Sequence, residues 1–233
     1  MSRSALFSAD LFADLEAPGP IRETMGEGAV LLRGKALAFE DELIAALAAI
    51  TARAPFRRMV TPGGFVMSVA MTNCGAAGWV TDRRGYRYDR MDPETGQPWP
   101  DMPACFERLA AEATAEAGYP DFAPDACLVN RYEPGARLSL HQDRNERDFA
   151  NPIVSVSLGL MAVFQFGGLK RTDPIAKYAL RHGDVAVWGS PSRLVFHGVA
   201  TLKDGCHPKL GCGAACKSRP PEGVIGVQKS AIS

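Results

Sequence analysis

The sequence predicts an α+β protein whose core is a β-sandwich or jelly roll, with its helices placed ahead of the strands. Three observations carry this. From Ala126 to Gly198 seven short, mostly apolar runs follow one another, each closed by a turn. Before them stand two longer stretches with apolar residues at helical spacing. No helical pattern separates one run from the next, as the crossovers of a parallel sheet would require.

In chain order, "GAVLLR" (28–33) reads as a short strand, and "AFEDELIAALAAITARA" (38–54) as a helix with acidic residues in its first turn. Residues 62–100 differ in kind. They combine glycine-rich turns, an apolar "FVMSVAMT" strand, and Trp79, Tyr86, Tyr88 and Trp99 interleaved with arginines, the composition of an exposed, loop-rich elaboration. "MPACFERLAAEATAEAG" (102–118) is a second helix, with Gly118 placed as its stop. The seven runs are "ACLVNRY", "ARLSLHQ", "IVSVSLGL", "AVFQF", "KYALR", "DVAVW" and "RLVFHG".

A chain of 233 residues fits one domain with a substantial core. No apolar run approaches the length of a membrane span, and the first residues lack the basic and then apolar layout of a signal peptide, so a cytoplasmic protein with no membrane association is expected. No heptad pattern points beyond a monomer. The formal charge is zero, so any nucleic-acid contact must rest on local clusters such as Arg83, Arg84 and Arg87, or Lys170 and Arg171. The six cysteines are expected to be reduced thiols, and the group Cys206, His207, Cys212 and Cys216 contains no Cys-x-x-Cys pair of the zinc-binding kind.

The chemistry centres on "LSLHQDRNE" (138–146). His141 and Asp143 stand two apart on an extended stretch, which puts them on one face. His197 follows 54 residues after Asp143 in another apolar run. Two imidazoles and one carboxylate form the facial triad of ferrous oxygenases, which leaves three positions on the metal open. Asn130 and Tyr132 share a face by the same two-residue rule, on a strand that a Pro-Gly turn connects to the one bearing His141.

The segments "PFRRMVTPGGFVMSVAMTNCG", "GYPDFAPDACLVNRYEPGARLSLHQDRNE", "PIVSVSLGLMAVFQFGGLKR" and "HGDVAVWGSPSRLVFHGV" closely resemble the bacterial AlkB family of iron(II)- and 2-oxoglutarate-dependent dioxygenases. The resemblance runs from about Leu11 to Pro208. It implies a double-stranded β-helix that holds iron through His141, Asp143 and His197, the catalytic set, with Asn130 and Tyr132 contacting 2-oxoglutarate and O2 at the remaining site. The implied reaction removes N-methyl groups, of the 1-methyladenine and 3-methylcytosine type, from single-stranded DNA or RNA. It releases formaldehyde while 2-oxoglutarate becomes succinate and CO2, which is a DNA-repair activity. By the same resemblance a flipped base lies between Trp79 and His141, Met71 lines its pocket, and Tyr86, Arg87, Tyr88 and Arg171 contact the nucleotide. The implied domain spans 1–208, with residues 62–100 as an inserted nucleotide-recognition lid.

The chain departs from the family twice. Asn145 stands where relatives carry an aspartate that contacts the base amine; it keeps an acceptor oxygen and loses the charge. From Lys209 the chain reads "KLGCGAACKSRPPEGVIGVQKSAIS", without the family's final Arg-x-Asn strand, whose arginines hold 2-oxoglutarate, and without strand alternation. Residues 209–233 are therefore expected to form a divergent tail, as from translation out of frame, and the fold to lack one strand. Two other functions compete: a nucleic-acid-binding remnant that has lost catalysis, and a dioxygenase for a substrate other than nucleic acid.

Overall fold

The computed structural model describes residues 22–144, 148–207, 211–212 and 223–228. The chain opens on a hairpin of β1 (Arg22–Gly26) and β2 (Ala29–Leu32), turned at Gly28, whose φ of 67° is left-handed. A short 3-10 turn (Leu37–Phe39) leads into α1 (Glu40–Arg53), then β3 (Ala70–Gly75), β4 (Gly78–Asp82), β5 (Gly85–Asp89) and α2 (Ala104–Ala117). The strands β6 (Ala126–Arg131), β7 (Leu138–His141), β8 (Ile153–Leu158), β9 (Ala162–Phe166), β10 (Ala176–Leu180), β11 (Val185–Trp188) and β12 (His197–Val199) follow. Last come β13 (Cys206–His207), β14 (Gly211–Cys212) and β15 (Gly223–Gln228).

Two sheets form the body. A seven-stranded sheet runs β1-β2-β11-β8-β15-β6-β3, and a four-stranded sheet runs β10-β9-β12-β7. The pairings within both are antiparallel. This is the jelly-roll core with flanking helices that the short, evenly spaced runs predict.

The large sheet buries both faces, so its strands look continuously apolar rather than alternating. Val154, Val156, Val185 and Val187 point to the helices, while Ile153, Ala186 and Trp188 point to the small sheet with Phe164 and Phe166. Period two thus separates two cores. The helices cover the outer one. α1 contributes Leu43, Leu47 and Ile50, one stripe at helical spacing, and α2 contributes Phe106, Leu109, Ala110 and Ala113. Glu40, Asp41 and Glu42 complement the partial positive charge at the start of α1. α2 ends at Gly118, whose φ of 95° lets Tyr119 N–H reach back to the Thr114 carbonyl.

Four sequence expectations need correction. β1 was not foreseen, because "RETMG" lacks alternating apolar residues; it is an edge strand held by β2 alone. "RLVFHG" is not one strand: Ser192–Leu194 forms a 3-10 turn, and β12 begins only at His197. Residues 62–100 are not exposed throughout, since β3 lies in the large sheet beside β6 and Trp99 is buried. The tail does supply a strand. β15 pairs with β6 on one side and β8 on the other, so the large sheet is continuous there. Its residues, "GVIGVQ", include no arginine. Leu11, Asn145, and the stretches 1–21, 213–222 and 229–233 lie outside the described residues.

Candidate active site

β7 and β12 run side by side with His141 opposite His197, and Asp143 follows two residues beyond the end of β7. The two-residue spacing read from the sequence brings His141 and Asp143 together, and the pairing of β12 with β7 adds His197. Their ligand atoms lie within 4.8 Å of one another. His141 Nε2 is 3.5 Å from Asp143 Oδ1, and His197 Nε2 is 3.4 Å from Asp143 Oδ2.

The outer ring nitrogens fix the tautomers. His141 Nδ1 sits 2.9 Å from the Ser139 carbonyl, and His197 Nδ1 sits 3.1 Å from the Val195 carbonyl. A carbonyl only accepts, so each Nδ1 carries hydrogen and each Nε2 turns inward. Burial alone would raise the Asp143 carboxyl, but the charge of His197 and hydrogen bonds from both imidazoles hold it well below the usual carboxylate range. Burial alone would lower His141, yet its hydrogen bond to Asp143 and that residue's charge leave it above the ordinary imidazole value. Two imidazole nitrogens and a carboxylate converging within 4.8 Å are the chemistry of a divalent cation site, and two nitrogens with one carboxylate suit iron(II).

Around this cluster opens a cavity of about 450 Å³ lined by His141, Asp143, Asn130, Met71, Trp79 and Tyr86 among others. Asn130 lies on β6 with Met71 opposite it on β3. The Oδ1 of Asn130, the Nε1 of Trp188 and the Oγ of Ser157 are buried without a protein partner. The Trp188 ring packs against His197, its centroid 5.0 Å away. Of these open atoms, the Trp188 N–H and the Ser157 hydroxyl can donate to an oxygen-rich ligand such as a 2-oxo acid, and Asn130 can do so through its amide nitrogen. Tyr132 is buried just past β6, and desolvation keeps its phenol protonated. No cation comes from β15, whose Val224 lies opposite both Asn130 and Ser157.

The β4–β5 hairpin supplies the aromatic wall. Trp79 stands opposite Tyr88, and Thr81 opposite Tyr86, so the three rings share one face. Trp79 and Tyr86 stack with centroids 5.7 Å apart. Trp79 is fixed by Asn73, whose amide exchanges two hydrogen bonds of 3.0 Å with its backbone. The Tyr88 phenol is raised by burial and by the charge of Asp143. Arg87 points to the other face and is held by Asp82 and Asp89. Arg171 donates to the Leu140 carbonyl at 2.9 Å and lies over Phe196, close to the strand that carries His141.

Sequence reasoning missed Arg137, Thr61 and Gln142, which also line the cavity. Arg137 could have been found, since it precedes His141 by four residues and shares its strand parity. Trp188 and Ser157 gave no signal beyond membership of apolar runs.

A double-stranded jelly roll with two imidazoles and a carboxylate at one end of its interior defines a non-haem iron oxygenase. The family described as the 2OG-Fe(II) oxygenase superfamily matches residues 28–220. The chain is 58% identical over 199 residues to the alpha-ketoglutarate-dependent dioxygenase AlkB of Escherichia coli strain K12, covering 85% of this chain and 91% of that protein. It is 30% identical over 147 residues to the nucleic acid dioxygenase ALKBH1 of Mus musculus, covering 63% of this chain and 37% of that protein. The solved structure of OsALKBH1 superposes with a TM-score of 0.74 at 27% identity, covering 89% of this chain and 99% of that one. The chain belongs to the AlkB family of the 2OG-Fe(II) oxygenase superfamily. It is thus an iron(II)- and 2-oxoglutarate-dependent dioxygenase that uses O2.

Proposed function

We propose that this enzyme removes N-methyl groups from bases of single-stranded DNA or RNA, of the 1-methyladenine and 3-methylcytosine type. The observation that carries this is one cavity that joins His141 and Asp143 to the Trp79–Tyr86 pair. A base taken out of its stack needs a flat, apolar clamp at the point where chemistry occurs. Similarity to proteins named dioxygenase AlkB and nucleic acid dioxygenase ALKBH1 supports the same reading.

The roles follow from position. His141, Asp143 and His197 hold iron(II); Asn130 and Tyr132 receive 2-oxoglutarate, with Trp188 and Ser157 offering the open hydrogen-bonding atoms. When bound, iron and the 2-oxo acid supply the oxidising chemistry, with succinate and CO2 as co-products. The protein's own work is to place and shield the methyl group. Trp79 and the ring of His141 take the two faces of the base, and Met71 closes the bottom of the pocket. A ring carrying positive charge after N-methylation gains further from aromatic faces. Tyr86 and Arg171 stand at the rim for the nucleotide and its phosphates, and Arg137 adds a second cation. Arg87 and Tyr88, on the same hairpin as Tyr86, are taken as further contacts to the nucleotide, with Arg87 oriented by Asp82 and Asp89. Asn145 remains the position proposed to shift base preference. The lid is assigned to residues 61–68 and the β4–β5 hairpin, in one domain running through β15.

One observation favours a second reading, that the chain binds nucleic acid without turnover: β15 passes beside Asn130 with no arginine to pair the distal carboxylate of 2-oxoglutarate. A single experiment separates the two. The full chain is incubated with iron(II), ascorbate, 2-oxoglutarate and a single-stranded oligonucleotide bearing 3-methylcytosine, and the oligonucleotide is weighed by mass spectrometry. Loss of about 14 mass units, one methyl exchanged for hydrogen, together with succinate is the expected result. Binding of the oligonucleotide without succinate would establish the second reading, and succinate without loss of mass would point to a substrate other than nucleic acid.

A further inference from the structure

A buried guanidinium stands beside the segment that carries Asp143. Arg193 belongs to the 3-10 turn Ser192–Leu194 and is 4% exposed. Its Nε donates to the Asn151 carbonyl at 3.0 Å, and its Nη1 reaches the Asp143 carbonyl at 3.5 Å. Its guanidinium carbon lies over the Phe149 ring, 5.7 Å from the centroid. Among the described residues, the Asp143 carboxylate and the Tyr88 phenol act on it electrostatically.

These contacts grip the segment after Asp143 at its start and again at residues 149–151. A return contact runs the other way, since Gln142 Nε2 donates to the Leu194 carbonyl at 2.5 Å. The same turn continues through Val195, whose carbonyl orients His197, directly into β12. Arg193 therefore connects the chain that carries one ligand to the chain that carries another.

A buried cation next to a metal site repels the metal, and burying it is costly unless its donors are satisfied. What arginine offers is a planar fork of donors that spans two carbonyls at once, which the single ammonium of lysine does not do.

We propose that Arg193 is a positioning residue for the metal site. By tying the Asp143 segment to the turn that launches His197, it sets the spacing between carboxylate and imidazole, 3.4 Å from Oδ2 to Nε2 in this structure. The proposal rests on the reading of His141, Asp143 and His197 as the ligands.

The test is to titrate Co(II) into the metal-free full-length chain, following binding by calorimetry and by the visible d–d bands. In Arg193→Met, which keeps the bulk, Co(II) is expected to bind at least about tenfold more weakly than in the parent, with shifted bands. A urea titration without metal reports separately on the fold. A folded Arg193→Met chain with parental affinity and bands, whatever its urea midpoint, overturns the proposal, because a merely structural role would lower that midpoint alone. Should that variant not fold, Arg193→Lys decides: the same weakening is expected, and parental Co(II) binding overturns it. A parent chain that takes up no Co(II), or a His197→Ala chain that binds it as the parent does, removes the ligand assignment itself and the proposal with it. The two kinds of failure are thereby told apart.

Discussion

His141 and Asp143 act on each other, and that sets their pH behaviour. His141 is raised above the ordinary imidazole value, so the stabilisation it gives is complete below its unfolded pKa of about 6.5 and is lost as pH rises through its folded value. Asp143 is depressed, so its contribution is present above an unfolded value of about 3.9 and is lost as pH falls through its folded one. A metal ion needs the neutral imidazole and must displace that proton. Co(II) affinity is therefore expected to climb as pH passes upward through the His141 pKa, with proton release seen by calorimetry in buffers of different ionisation enthalpy. An affinity flat from pH 6 to 8 would contradict the raised value. At the aromatic wall, Trp79→Ala should raise the KM for a methylated oligonucleotide by roughly 5- to 150-fold, the equivalent of about 1–3 kcal/mol of lost stacking. Trp79→Phe should recover most of it. An unchanged KM would remove Trp79 from the base clamp.

Elements are set by how their stripes meet the large sheet. Phe106 is 2% exposed and lies where α2 packs on the outer core, so Phe106→Ala should destabilise the protein by about 3–5 kcal/mol in urea unfolding. A loss below 1 kcal/mol would mean the helix packs more loosely than described. Just before β11, Asp184 ties its own turn to the residues that follow β2. It accepts from Arg33 Nη1 at 2.7 Å, from Gly34 N–H at 2.9 Å and from Arg181 N–H at 2.9 Å. Asp184→Ala leaves two backbone donors and part of a guanidinium unpaired, an expected cost of about 2–3 kcal/mol. Asp184→Asn, which keeps acceptor capacity on one oxygen, should cost less, and equal losses in the two variants would argue against the hydrogen-bond account. The apolar runs made these elements legible in the sequence, because both faces of β2, β8 and β11 are covered. β1 was illegible because an edge strand needs no apolar pattern of its own.

For the molecule as a whole, β15 decides whether the large sheet is continuous. A chain ending at Pro208 would leave β6 and β8 each with one edge unpaired in mid-sheet, and the backbone donors and acceptors along those edges without partners. Such a chain is expected to be insoluble or to lose its cooperative thermal transition by circular dichroism; a parental melting curve would show that β15 contributes nothing to the fold. The sequence by itself determined the order of strands and helices and the His141–Asp143 pair, since both rest on local periodicity and two-residue spacing. It also pointed to His197, Asn130 and Trp79 through resemblance to the AlkB family. Only the tertiary structure decided that the unpromising tail fills the gap beside Asn130, that β7 and β12 set His141 opposite His197, and that the Arg193 guanidinium reaches the carbonyls of Asp143 and Asn151. These depend on pairings between residues far apart in the chain, and a backbone hydrogen-bond partner or a buried charge contact leaves no periodic trace in the segment that makes it.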